Sequence, residues 1–170
     1  MTKAIKQFPI INAVIDKSLK NIIYRDYVDM IVPIKLVNDA DLVVNCVVRD
    51  CQNKTFTEIY KELLSFNNKF TSGQLSLEDT YPGTVSINTS SDSLLSVSAI
   101  EENTTVKLGI NKAEMKPYCV DNNPKRIEPR MMMYISLTYD HRLIDGREGV
   151  LFLKKVKEYM ENPIKIIFDM

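Results

Sequence analysis

The chain has 170 residues, with 22 Lys+Arg balancing 22 Asp+Glu, 45% hydrophobic and 8% aromatic residues. That is the length of one domain with a real core, and it needs no disulfide or metal staple. Zero formal charge leaves no electrostatic footprint for nucleic acid, and five Gly and seven Pro exclude a low-complexity or collagenous chain.

The three cysteines, Cys46, Cys51 and Cys119, form no Cys-x-x-Cys pair and read as reduced thiols with no metal site. No apolar run approaches the ~20 residues that span a bilayer. Residues 1–9 carry neither a signal-peptide hydrophobic stretch nor an Arg- and Ser-rich leader, so a soluble cytosolic or organellar protein is expected.

In chain order, period-two runs dominate the first third. Residues 10–15, 22–24, 28–34 and 42–48 read as strands separated by Asn/Asp-rich turns, with Pro33 marking an edge or bulge. From Thr55 the spacing turns helical. Phe56, Ile59, Tyr60, Leu63 and Phe70 share a face, Thr55 and Glu58 have capping-box spacing, and the helix should end by Gly73. Short strands follow at 84–87, 94–100 and 106–110. Residues 112–130 hold three Pro and an Asp-Asn-Asn cluster, hence a long loop or wide hairpin. Residues 131–139 are apolar on both faces and predict a buried strand, with the methionines as sheet filler. A polar turn at 140–146 leads into a helix over 147–161, with Val150, Leu153, Val156 and Met160 as its apolar stripe and Asn162-Pro163 as its stop. The order of elements is α+β, a mixed sheet with a few flanking helices.

The string Tyr139-Asp140-His141-Arg142-Leu143-Ile144-Asp145-Gly146-Arg147-Glu148 holds the one histidine of the chain, where a strand ends and a helix begins. Two accounts fit it. In the structural one, Asp145 is an N-cap with Glu148 three residues on, Gly146 opens the turn, and His141 is a surface loop residue. In the functional one, the imidazole is a general base for a thiol proton, with Asp145 and Arg142 paired to brace the turn.

Asp-His-Arg-x-x-Asp-Gly-Arg-Glu resembles the signature of the dihydrolipoyl acyltransferase catalytic domain of the 2-oxoacid dehydrogenase complexes. The more distant chloramphenicol acetyltransferases share its His-x-x-x-Asp-Gly core. Residues 132–139 look like the strand before that motif and 152–170 like the family's C-terminal end. Phe8-Pro9, Asn12-Ala13-Val14-Ile15-Asp16 and Tyr24-Arg25-Asp26-Tyr27-Val28-Asp29 look like the succinyl-transferring branch. The resemblance covers nearly the whole chain.

It implies a chloramphenicol-acetyltransferase-like sheet over residues 1–170, incomplete at the N-terminus, with no lipoyl domain and no peripheral-subunit-binding domain. It implies transfer of a succinyl (acyl) group from dihydrolipoamide to coenzyme A, both as substrates, with no covalently bound cofactor. His141 would be the general base, and Asp145 would hold the geometry by pairing with an arginine. Asp140, Arg142 and Gly146 would support the site. Trimers would share active sites between neighbours within a large complex of the mitochondrial matrix, or otherwise the cytoplasm.

The sequence also departs from the family pattern. The family's Ser or Thr oxyanion donor, followed by Asn-Gly-Gly, corresponds to Asn88 with Thr89, Ser90 and Ser91. An Asn amide could still donate, but the two glycines are gone. Glu101 and Glu102 fall where the family has Asn-Pro, and they would repel coenzyme A phosphates if they faced them. Asp41 and Asn45 likewise replace a Gly and a Pro. The resemblance would also have the first helices and strand of the domain missing ahead of Met1, with the arginine-bearing helix and part of the coenzyme A site. Two readings follow, an active acyltransferase core and a catalytically inactive structural subunit. A thiol or metal enzyme built on the cysteines and His141 is a weaker third. The apolar C-terminal residues Ile164, Ile166, Ile167, Phe168 and Met170 should pack on the domain or mediate assembly, and deletion after Asn162 would test that.

Overall fold

A computed structural model describes residues 1–36 and 39–168. A short helix, α1 (Thr2–Gln7), and a 3-10 turn (Pro9–Asn12) lead into a small hairpin, β1 (Ala13–Ile15) and β2 (Ile22–Tyr24). The main sheet is built from β3 (Met30–Leu36), β4 (Asp39–Val48), β5 (Val85–Thr89), β6 (Val106–Ile110) and β9 (Ile135–Tyr139) in the order β4-β3-β5-β6-β9. Its β3–β5 and β5–β6 pairings are parallel and its β3–β4 and β6–β9 pairings antiparallel, so the sheet is mixed as the composition of elements predicts. A second hairpin, β7 (Glu114–Cys119) and β8 (Ile127–Met132), stands apart from it.

The helices α2 (Phe56–Thr71), α3 (Gly146–Glu161) and α4 (Ile164–Phe168) complete the chain. Period-two patterning decides which side of the sheet they cover. Met30, Val85, Val106 and Leu108 face one way and pack with Cys46, Val48, Phe66, Ile144, Phe152, Val156 and Tyr159 in a single core. Ser86, Asn88, Lys107 and Gly109 face the other way, under the segment that connects β5 to β6.

Both long helices start where their caps predict. Thr55 Oγ1 accepts the Glu58 amide at 3.3 Å while the Glu58 carboxylate accepts the Thr55 amide at 2.7 Å, a complete capping box. Asp145 caps α3 by accepting the Glu148 amide at 2.7 Å.

Several expectations need correction. Residues 10–12 are in the 3-10 turn, because Pro9 fixes the first helical φ and Asn12 spends its amide on the Tyr27 carbonyl (2.7 Å). Residues 94–100 form no strand. They cross the polar face of the sheet, where Ser96 N and Oγ bond the Asn111 side chain and Ser136 Oγ bonds the Ser96 carbonyl. The expected strand over 131–139 is broken at residues 133–134, as β8 leaves the sheet and β9 enters it; Met131 is 65% exposed and Tyr134 52%. The apolar stripes of the helices are rotated. α2 buries Phe66, with Ile59 and Leu63 against the core, while Phe56 and Tyr60 face out. α3 buries Gly149, Phe152, Val156 and Tyr159, leaving Val150 and Met160 exposed. At the C-terminus Ile166 packs on the core and Ile164 is exposed. Ile167, Phe168 and Met170 lie outside the described side chains.

Candidate active site

The turn after β9 is held by its own backbone. The Leu143 and Ile144 amides both bond the Asp140 carbonyl at 3.0 Å, and the Asp140 amide bonds the Thr105 carbonyl at 3.0 Å. Ile144 is fully buried and anchors the turn to the core, which leaves His141 exposed at its crest. The imidazole lies 5.6 Å from the Tyr139 ring, centroid to centroid. Tyr139 in turn presses on α3, where a Cβ built on Gly149 would meet its ring carbon at 3.0 Å. A side chain there would have to push the Tyr139 ring aside by a few tenths of an ångström, which glycine avoids.

The expected Asp145–Arg142 pair does not form. Arg142 folds back onto Asp140, with Nε at 2.9 Å from Oδ1 and Nη2 at 2.6 Å from Oδ2. This fork holds the Asp140 carboxyl below the usual carboxylate range, the Arg142 hydrogen bonds outweighing the burial that opposes ionisation. Asp145 Oδ1 accepts the Glu148 amide, and no arginine pairs with the carboxylate among the described residues. The expected N-cap at Asp145 is present. Gly146 is the first residue of α3, with nothing closer to its virtual Cβ than Tyr139 Oη at 4.0 Å.

Asn88 lies in a different place. It pairs with Gly109 on β6, which pairs with Ser136 on β9, five residues before His141. At 3.3 Å per strand residue the two positions are roughly 16 Å apart along the sheet. Asn88 is half-buried beside a groove of about 910 Å³ whose lining includes Lys35, Ser90, Ser91 and Lys112. A Cβ on Gly109 would come within 2.2 Å of Ser136 Oγ and force that hydroxyl off the Ser96 carbonyl.

Glu101, expected as a possible repellent of phosphate, is held inside the fold. It pairs with Lys107 and accepts the Ser86 hydroxyl, and these outweigh burial to keep its carboxyl below the ordinary value. Cys46 and Cys51 are buried, and burial pushes both thiols up to about 11, which removes them as nucleophiles. Cys119 is exposed on the β7–β8 hairpin. No group of three metal-ligating side chains gathers among the described residues.

Two features carry no sequence signal of their own. Arg49 reaches Asp29 at 2.9 Å and the carbonyls of Glu78, Tyr81 and Pro82, tying the connection after α2 to the sheet. Arg25 is folded under Asn103, whose carbonyl accepts its Nη2 at 3.0 Å. In the sequence it is visible only as one letter of the Tyr24–Asp29 string.

A mixed sheet flanked by helices, with a histidine turn capped into a final long helix, is the fold of an acyltransferase core. It superposes on a dihydrolipoamide acetyltransferase from Listeria monocytogenes with a TM-score of 0.82 at 25% identity, over 94% of this chain and 66% of that one. It superposes on the cubic core of a pyruvate dehydrogenase multienzyme complex with 0.81 at 22%, over 98% and 68%. For a chloramphenicol acetyltransferase the values are 0.57 and 20%, over 93% and 72%. The chain belongs to the 2-oxoacid dehydrogenases acyltransferase (catalytic domain) family, which it matches over residues 1–168. It is 39% identical over 170 residues to the dihydrolipoyllysine-residue succinyltransferase component of the 2-oxoglutarate dehydrogenase complex of Rickettsia felis, and 35% over 169 residues to the mitochondrial human one. It spans 40% and 36% of those relatives' lengths, and they cover 99% and 98% of it.

Proposed function

We propose that this chain transfers a succinyl-type acyl group from a dihydrolipoyl thioester to coenzyme A, at a site completed by a second copy. The supporting observation is the separation of His141 from Asn88 along one sheet, which leaves each half of the chemistry without the other inside a single chain. His141 is exposed and lies outside the core, as a group that meets a substrate must. In this reading the imidazole takes the proton of the coenzyme A thiol, and the sulfur attacks the thioester carbonyl. The second copy's Asn88 donates its amide to the oxyanion. Collapse of the tetrahedral adduct expels the dihydrolipoyl thiolate, which recovers the proton from the imidazolium. The assembly would be the core of a 2-oxoacid dehydrogenase complex, in the mitochondrial matrix or a bacterial cytoplasm.

The test is complementation. His141→Ala and Asn88→Ala should each lose about 10²-fold or more of the activity alone. Mixed and reassembled in equal amounts, they should regain about a quarter of wild-type sites, because random pairing at a shared interface unites the intact halves that often. No recovery from mixed oligomers would defeat the shared site.

The second reading, an inactive structural subunit, is favoured by Ser90 and Ser91 in place of the loop glycines and by Asp145 being spent on a cap. Mass spectrometry of the native particle separates the two. Lipoyl-bearing and 2-oxoacid dehydrogenase subunits support the enzyme, and a different large complex supports the scaffold.

A further inference from the structure

Beside Thr84, at the end of the sheet where β5 and β6 begin, is a pocket of about 240 Å³ lined by Arg25, Tyr27, Asp29, Pro82, Gly83 and Asn103. Arg25 is its unusual member. Nη2 is fixed on the Asn103 carbonyl, while Nη1 is shut off from water and has no hydrogen-bond partner. A guanidinium nitrogen buried in that state carries its full desolvation cost and calls for an acceptor.

Among the described residues none reaches it; Asn12 Oδ1 is also buried without a partner, on a side chain whose amide is held by the Arg25 and Tyr27 carbonyls. Asp29, the one carboxylate lining the pocket, is occupied by Arg49 at 2.9 Å and by the Asp50 amide at 2.9 Å. Among the described residues no acid makes an ion pair with Arg25. Burial pulls the guanidinium below its ordinary pKa, against the pull of Tyr27 and Asp29, which is the mark of a cation short of counter-charge. Asn103 is itself held in the left-handed region (φ 66°) with its amide on Tyr81 Oη, so the carbonyl that orients Arg25 is fixed from two sides.

The position matters as much as the charge. Two residues beyond Asn103, the Thr105 carbonyl accepts the Asp140 amide, and His141 follows. The pocket and the histidine turn are therefore braced by the same three-residue segment, at the same end of the sheet.

We infer that the Arg25 pocket receives the free carboxylate of a dicarboxylic acyl group, making Arg25 a specificity-determining residue. This rests on the acyl-transfer reading above. Seating a carboxylate there takes a small turn of the guanidinium that uncovers Nη1 and gives it the acceptor it lacks, and the rigid fork of arginine suits that group better than a lysine would. A monocarboxylic acyl group of the acetyl kind has nothing to place there.

The test has a binding arm and a kinetic arm, both on the full chain. Side-chain ¹⁵N resonances of Arg25, assigned with Arg25→Lys, should shift and saturate with succinate, and should not move with acetate at ten times the concentration and matched ionic strength. With succinyl- and acetyl-dihydrolipoamide as donors, Arg25→Gln should lower kcat/KM for the succinyl donor by about 30-fold, chiefly through KM, and leave the acetyl donor within about twofold. Arg25→Lys, which keeps the charge, should fall between wild type and Arg25→Gln. Equal losses for both donors, or an Arg25 signal indifferent to succinate, would overturn the assignment. Resonances that respond to succinate in a chain that transfers neither acyl group would leave the pocket standing and remove the acyl-transfer reading alone.

Discussion

The turn that carries His141 and the loop that follows Asn88 are built on opposite plans. The turn is determined by its own residues: amides onto the Asp140 carbonyl, a cap at Asp145, a buried Ile144 and a glycine seat for the helix behind it. The loop over Ser90–Asp92 has far less of its own, with Ser90 bonding the Ile110 carbonyl and the Ser93 amide bonding Ser90 Oγ, and it faces an open groove. One half of the site is therefore a local structure that any copy of this chain makes alone. The other half has fewer bonds of its own to fix its shape. In the proposed reaction the proton acceptor belongs to the locally determined half and the oxyanion donor to the other, which a neighbouring copy would have to bring to it.

The sharpest way to break this contrast is at the imidazole. His141→Ala should reduce acyl transfer by about 10²–10⁴-fold with the thermal midpoint unchanged, since the side chain is exposed. Equal rates for mutant and wild type would take His141 out of the mechanism. Asn88→Ala should cost about 10²-fold in kcat, and Asn88→Ser should recover part of it. An Asn88→Ala enzyme with full kcat would show that the groove supplies its donor elsewhere.

A stability effect comes next. Gly149→Val drives a branched side chain into Tyr139 and should destabilise the fold by about 1–3 kcal/mol in urea melts. The same substitution at Gly146, whose virtual Cβ has open space, should be far milder. Smallest is Asp140→Asn. Because the Asp140 carboxyl is depressed in the folded state, its pairing with Arg142 stabilises above the unfolded-state value and is lost as pH falls through the folded one. The wild-type advantage over Asp140→Asn in thermal midpoint should therefore shrink towards acidic pH. An advantage constant from neutral to acidic pH would show that the fork contributes nothing.

What could be read in the sequence follows the same division. Both helix starts were legible because a cap is a rule about four consecutive residues, and Thr55–Glu58 and Asp145–Glu148 state it openly. The faces those helices bury were not, because Phe56, Val150 and Met160 satisfy a helical period as well as Phe66, Phe152 and Tyr159 do; the choice is made by the sheet they meet. Residues 94–100 alternate like a strand, yet the neighbouring strands leave them no ladder, and Asn111 and Ser136 take their polar groups instead. His141 could be picked out as the one histidine in a turn between strand and helix. Arg142 could not be assigned its partner, since two aspartates flank it and only the fold of the turn selects Asp140. Arg25 was silent because its burial is conferred by Asn103, 78 residues away.

Tyr139 touches both sides of this arrangement. Its ring meets Gly149 of α3 on one side and the imidazole of His141 on the other. The ring is thus a shared contact between helix and histidine, so a displaced helix would be expected to show at the imidazole as well. A substitution on the same buried face of that helix, at Phe152 or Val156, should therefore be felt at Tyr139, and the proton resonances of His141 would register it.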